Sequence, residues 1–189
     1  MVLKTILEEA ERMHTLSDGL LNIAQASFDI NNMKKEFIRI DELLEEIKDI
    51  IGDRTPGSNM VLNFRHMPDN PDELLIKGNK NLLSIAFGNL FENANKFSGN
   101  KIVQITLDLT QDEILVTIKD TGIGIPGKDL GNVLETFYRA ENARIFSGSG
   151  VGLSLSQKIF LIHNGKLAIQ SEEGKGTTVI VMLKKFKNT

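Results

Sequence analysis

Three short segments carry residue types whose spacing could do chemistry. In Asn89-Leu-Phe-Glu-Asn93-Ala-Asn-Lys96 two carboxamides stand one helical turn apart on one face, with Lys96 close to that face. Carboxamide oxygens are neutral, hard ligands suited to magnesium, and a lysine one turn further on can neutralise phosphates that arrive with the ion. The same pattern also suits an ordinary solvated helix face. In Asp120-Thr-Gly122-Ile-Gly124-Ile-Pro126 the glycines let the backbone turn sharply and approach a ligand, and the aspartate can accept a hydrogen bond from an exocyclic amine. The plainer alternative is a glycine turn that ends a strand. In Ser147-Gly148-Ser-Gly150-Val-Gly152-Leu153 a polar, aperiodic stretch from Arg139 gives way to a helix, whose free first amides suit a polyphosphate. No strand immediately precedes this segment and no Lys-Ser/Thr follows it, which excludes a P-loop.

Several elements must position these residues. Leu3, Ile6, Ala10, Met13, Ser17, Leu20 and Ala24 recur at alternating steps of three and four, which predicts one long amphipathic helix over residues 3–24. Leu7, Leu16 and Leu21 widen its apolar stripe beyond a two-stranded seam, so it is expected to pack in a bundle with helices from another chain or from sequence outside these residues. The pattern changes after Asn31-Asn32, giving a boundary near residue 30 and two units, 1–30 and 31–189. In the second unit Glu36 to Ile40 reads as a short strand, and Asp41 as the cap of a helix through Ile51. Val61 to Phe64 and Leu74 to Ile76 read as strands, and Asn79 as the start of a helix to about Phe97. Ile102 to Leu109 and Ile114 to Lys119 alternate as a hairpin, Gly152 to His163 is helical, and two more strands flank Glu172-Glu-Gly-Lys-Gly176. Helices and strands thus share one core, and the fold class is α+β, a sandwich with helices on one face of a sheet.

Composition narrows the function classes. The 22 basic and 25 acidic residues leave a formal net charge of −3, which supplies no long-range attraction for nucleic acid or an anionic membrane. There is no cysteine, hence no disulfide framework, thiol nucleophile or thiolate metal site. No apolar run reaches the roughly 18 residues of a membrane span, and no basic-then-apolar leader opens the chain. A soluble, cytoplasmic setting fits this composition, including the cytoplasmic part of a membrane-bound sensor.

Taken in order, NLFENANKF, DTGIGIP, ETFYRAE and GSGVGLSLS resemble the N box, first glycine box, F box and second glycine box of the sensor histidine kinase catalytic domain. That domain belongs to a superfamily shared with gyrase, heat-shock chaperones and MutL mismatch-repair proteins. The resemblance spans residues 31–185 and implies the Bergerat-type fold, a two-layer α/β sandwich with a mixed sheet, binding ATP with Mg2+. By this likeness Asn89 and Asn93 hold the metal and, with Lys96 and Arg139, serve phosphoryl transfer. Asp120 reads the adenine amine, Gly122 and Gly124 shape that wall, and Thr177 or Thr178 lies near the base. Phe137 is the F-box aromatic, residues 139–149 form a mobile lid, and Gly148, Gly150, Gly152 and Leu153 cradle phosphate.

The helix at 3–24 resembles the second helix of the family's dimerisation and phosphotransfer hairpin. The first helix normally carries the acceptor histidine followed by an acidic residue; here His14 precedes Thr-Leu, His66 precedes Met-Pro and His163 precedes Asn-Gly. The resemblance therefore implies a kinase core that phosphorylates a histidine outside these residues, with an acceptor helix, a dimer partner and a response regulator receiver domain as partners. Two other readings stay open. One is an ATP hydrolase of gyrase or chaperone type, which needs a general base where Asn89 offers only an amide; Glu92 is expected to point elsewhere. The other is a nucleotide-binding regulatory module without transfer.

Overall fold

The computed structural model describes residues 34–186 except Pro56, together with Ser17. The helix expected over 3–24 and the boundary near residue 30 lie outside the described residues, Ser17 apart. The chain runs through β1 (Glu36–Arg39), α1 (Ile40–Arg54), β2 (Met60–Phe64), β3 (Leu75–Gly78), α2 (Lys80–Phe97), β4 (Val103–Leu109), β5 (Glu113–Lys119), α3 (Gly152–Ile162), β6 (Lys166–Glu172) and β7 (Gly176–Lys184). Among the described residues no helix is long and apolar enough to cross a membrane.

The main sheet has the order β2-β4-β5-β7-β6. It is mixed, because β2 pairs parallel with β4 while the other neighbours pair antiparallel. Strict alternation puts Val103, Ile105 and Leu107 of β4, Ile114, Val116 and Ile118 of β5, and Val181 and Leu183 of β7 on one buried face. The helices α1, α2 and α3 cover that face in a single core. The strands β1 and β3 do not join this sheet. They form a separate antiparallel ribbon, Glu36 opposite Gly78, which alternation within each strand could not distinguish from membership of the larger sheet.

One boundary differs from expectation. The helix α1 begins at Ile40, so Asp41 lies inside its first turn rather than capping it, and Arg39 stands at the cap position without accepting any first-turn amide on its side chain. Asp41 is buried and accepts from Arg39 Nε at 2.9 Å. The apolar demand of Ile38 and Ile40 sets this register, and a carboxylate in the first turn still meets the positive end of the helix dipole.

The start of α2 follows the sequence closely. Asn79 Oδ1 accepts from Leu82 N at 3.0 Å, satisfying one of the orphan amides of the first turn. The apolar stripe Leu82, Leu83, Ala86, Phe87, Leu90, Phe91 and Ala94 is buried, and Phe87 packs edge-on against Phe160 of α3 with ring centroids 5.0 Å apart. Polar ties also join these antiparallel helices. Ser156 Oγ donates to Ala86 O at 3.0 Å, and Asn79 N donates to His163 Nε2 at 3.0 Å.

His163 caps the far end of α3 as a neutral imidazole, its Nδ1–H meeting Ile159 O at 2.7 Å while Nε2 accepts. Gly78 lets the ring reach this position, since a Cβ there would lie 2.6 Å from His163 Cδ2. Burial pushes the imidazole below its ordinary value, only partly offset by the bond to Ile159. Because the neutral form is favoured in the fold, this contribution is complete above the ordinary value of about 6.5 and is lost as pH falls below it. Thermal melts should therefore drop as pH falls from about 7.5 to 5.5. In His163→Leu that dependence should vanish, with stability at neutral pH lower by about 1–3 kcal/mol because Asn79 N loses its acceptor. Identical melting curves across that pH range in the unaltered chain would remove this role for His163.

Candidate nucleotide-binding site

The C-terminal half of α2, the loop after β5, the turn before α3 and the start of β7 enclose a cleft of about 310 Å³. Burial of the α2 apolar stripe turns Asn89, Asn93 and Lys96 toward it, as their spacing predicts. Asn89 Nδ2 points to Gly152 O at 3.5 Å, which leaves its Oδ1 as an acceptor. Gly152 itself sits against that amide, since a Cβ there would lie 3.3 Å from Asn89 Oδ1.

Lys96 Nζ donates to Ser147 O at 2.9 Å and lies 4.6 Å from the centroid of the Phe97 ring. Burial pushes this ammonium below the ordinary lysine value and Arg139 adds to the effect, while Glu92 opposes it. A cation under like-charge pressure is prepared to receive an anion. Arg139 lines the same cleft, with Nη2 donating to Ala143 O at 2.8 Å and to Phe146 O. Glu92 lines the cleft as well, although it is exposed; one step of 100° from Asn93 leaves it on the rim instead of turning it away.

Asp120 stands at the other end and is 5% exposed. Its Oδ1 accepts from Gly122 N at 2.8 Å and from Thr177 N at 3.3 Å. Burial raises the carboxyl above the ordinary aspartate value, against the opposing effect of those backbone bonds. With Oδ1 committed, Oδ2 is the oxygen left for a ligand. Apolar walls come from Ile118, Ile123, Leu155, Ile169 and Val179. Thr177 lines the cleft, its hydroxyl 2.8 Å from Ser171 Oγ, whereas Thr178 does not, because β7 alternation sends it to the opposite sheet face.

The remaining glycines divide by position. Gly124 lines the cleft with φ +61°, and Gly148, Gly150, Gly152 and Leu153 line it beside α2. Gly122 is not in the lining; it holds Asp120 from behind. The first turn of α3 has no side-chain cap, and Ser154 and Ser156 donate to carbonyls of Val151 and Gly152 instead. Its amides thus stay available to an anion.

Phe137 does not line the cleft. It is 51% exposed with φ +70°, its N–H donating to Gly150 O at 2.9 Å, and Tyr138 faces the site in its place. Residues 139–149, expected as a lid, are tied down at several points. Phe146 packs on Phe97 with ring centroids 5.1 Å apart, Asn142 Nδ2 donates to Gly124 O at 2.9 Å, and Glu141 N donates to Asp129 Oδ2 at 3.1 Å. Asn142, Ile169 and Val179 line the cleft although no motif singled them out.

Among the described residues no group of three or more His, Cys, Asp or Glu side chains could hold a metal ion. The amide oxygens of Asn89 and Asn93 nevertheless suit a hard cation that arrives with phosphate oxygens of its own.

An uncapped helix start, paired amides and a buried carboxylate around one cleft on a two-layer α/β sandwich define a nucleotide-binding domain. Residues 78–187 match the family described as histidine kinase-, DNA gyrase B-, and HSP90-like ATPase, and the chain belongs to that family. Sensor protein SrrB of Staphylococcus aureus strain N315 is 32% identical over an alignment of 195 positions, covering 97% of this chain and 31% of that protein. The same protein of strain NCTC 8325 matches over the same shares. The chain thus spans about a third of the length of the curated relatives it matches. Among solved structures, a mycobacterial sensor histidine kinase MprB superposes with a TM-score of 0.67 at 22% identity, over 80% of this chain and 97% of that one. A nucleotide-free catalytic domain of histidine kinase ThkA gives 0.66 at 22% identity, over 81% and 99%. These two establish a shared fold.

Proposed function

We propose that the chain is the ATP-binding catalytic core of a two-component sensor kinase, transferring the γ-phosphoryl group of ATP to a histidine and serving a response regulator receiver domain. The observation that carries this reading is a single cleft with Asn89, Asn93 and Lys96 at one end and the buried Asp120 carboxylate at the other. Adenine lies between the apolar walls with its 6-amino group on Asp120 Oδ2, and the phosphates extend to the uncapped start of α3. Asn89 and Asn93 would hold Mg2+, which neutralises phosphate charge and orients the terminal group. Lys96 and Arg139 exchange their bonds to the carbonyls of Ser147, Ala143 and Phe146 for phosphate oxygens. Catalysis is then positioning and charge stabilisation. A neutral imidazole nitrogen attacks phosphorus, the bond to the ADP oxygen breaks, and Glu92, an exposed carboxylate on the cleft, is available to take the proton the ring gives up.

On this reading residues 1–30 form the second helix of a dimerisation hairpin and 31–189 the catalytic unit, placed in the cytoplasm where ATP and the receiver domain are found. His163 is committed to Asn79 and Ile159 and is not the acceptor. Supplying the chain with γ-labelled ATP and Mg2+, with and without a histidine-bearing hairpin in trans, tests the proposal. Label on the hairpin supports the kinase. Phosphate release without any labelled hairpin would favour hydrolysis, and tight binding with neither product would favour a regulatory module.

A further inference from the structure

Asp129 is a buried carboxylate that does not itself line the cleft. Its backbone is fixed in the loop after β5, where Asp129 N donates to Pro126 O at 2.8 Å and Asn132 N donates to Asp129 O at 2.9 Å. Both side-chain oxygens are in use. Oδ1 accepts from Tyr138 Oη at 2.6 Å, and Oδ2 accepts from Glu141 N at 3.1 Å. These bonds, the one from Tyr138 foremost, hold the carboxyl below the ordinary aspartate value, so at neutral pH it is ionised and accepts on both sides.

The two bonds bracket Arg139. One holds the residue immediately before it, and the other holds the residue two positions after it. Between them Ala140 is buried, so the short run from Tyr138 to Glu141 is fixed at both ends and in the middle. Tyr138 and Arg139 line the cleft, and the Arg139 guanidinium is held there by the carbonyls of Ala143 and Phe146. An ion pair between Lys128 and Glu141 spans the same turn, but both side chains are exposed and water screens their attraction. The buried Asp129 carboxylate is therefore the stronger anchor.

We infer that Asp129 is a positioning residue for phosphate binding, which fixes residues 138 and 141 and so sets the backbone from which Arg139 reaches the nucleotide. The inference rests on the cleft being the nucleotide site. An arginine side chain loses much rotamer freedom when it grips a phosphate, and a backbone already held in place keeps that cost from growing. Asp129 touches no ligand and acts through Arg139. It also joins the loop that carries Asp120 to the segment that carries the guanidinium, so the base end of the cleft sets where the phosphate end lies.

The test is a double-mutant cycle on MgATP affinity, measured by calorimetry for the unaltered chain, Asp129→Ala, Arg139→Gln and the two combined. Asp129→Ala should weaken binding by about 10-fold when Arg139 is present, and by less than about 2-fold when residue 139 is already glutamine. Tyr138→Phe removes one of the two bonds and keeps the ring. It should show a smaller loss with the same dependence on Arg139, and it carries the cycle if Asp129→Ala does not fold. Tyr138 is the one tyrosine of a chain without tryptophan, so its emission reports on this turn alone. That emission should change in Asp129→Ala and stay as it is in Arg139→Gln. An equal affinity penalty in both Arg139 backgrounds would make Asp129 a general structural anchor and overturn the inference, as would an unchanged emission in Asp129→Ala. If the unaltered chain binds no MgATP, the nucleotide reading itself fails and takes the inference with it.

Discussion

Asp120→Asn should bind MgATP about 100-fold more weakly than the unaltered chain, a loss of ~3 kcal/mol, while melting at the same temperature or slightly higher. The two effects separate because the two carboxylate oxygens do different work. Oδ1 accepts from Gly122 N and Thr177 N, and an asparagine Oδ1 can keep both bonds. On the proposed reading Oδ2 meets the ligand, and replacing it with an NH2 group would set donor against donor at the 6-amino position. A site built to pair a buried polar group rejects the mismatched partner strongly, because neither group can return to water. The stability half follows from linkage. Burial holds the Asp120 carboxyl above its ordinary value, so the folded chain favours the protonated acid. That contribution is present at low pH and is lost as pH rises through the raised value, so at neutral pH the buried charge is a net burden that asparagine removes. Calorimetry with MgATP and a melt without nucleotide decide the matter. Equal affinity in the two proteins would remove Asp120 from base recognition, and a large drop in melting temperature would make its role structural.

Much of this arrangement was legible in the sequence because local rules and tertiary demands agree there. The stripe from Leu82 to Ala94 buries itself, which forces Asn89, Asn93 and Lys96 outward at helical spacing, and Asn79 caps the helix as its type suggests. The alternation in β4 and β5 likewise gives the hairpin its register. Where the reading diverged, a long-range contact decided. Thr177 and Thr178 are equivalent by composition, and only the pairing of β7 with β5 and β6 shows that Thr177 faces the cleft. Phe137 is the aromatic that the F-box resemblance points to, but its backbone is drawn into a left-handed turn by the bond to Gly150, where a Cβ would lie 2.7 Å from Tyr138 O. That places the next residue, Tyr138, in the site. The capping role expected of Asp41 yielded to the burial of Ile38 and Ile40, and the β1–β3 ribbon came from a pairing that alternation within one strand does not encode. Asn142 carries no local signal at all, since only the fold brings it to Gly124, 18 residues away in sequence.

Gly122→Ala should cost about 3 kcal/mol or more and abolish nucleotide binding together with stability, in contrast to the selective loss at Asp120. Its φ is not in the left-handed region, so the demand is purely one of space. A Cβ at residue 122 would lie 1.8 Å from Phe97 O and 2.9 Å from Ser98 Cα, and both are backbone atoms that cannot swing aside. Phe97 is the last residue of α2, and its carbonyl is among those a helix end leaves without an internal partner. Ile123 N supplies that partner at 3.2 Å, so the loop that carries Asp120 also closes the helix that carries Asn89, Asn93 and Lys96. A methyl group wedged between them must push the two apart, breaking the bond to Phe97 O and moving Gly122 N away from Asp120 Oδ1. The base end and the phosphate end of the cleft are thereby coupled through one residue that touches no ligand. Gly131→Ala is the control, since a Cβ there meets nothing within 4 Å and should change stability by no more than about 0.5 kcal/mol. Urea midpoints of both variants, each with and without MgATP, provide the comparison. A Gly122→Ala protein that unfolds at the same urea concentration as Gly131→Ala and still binds MgATP would show that the two ends of the cleft are held independently.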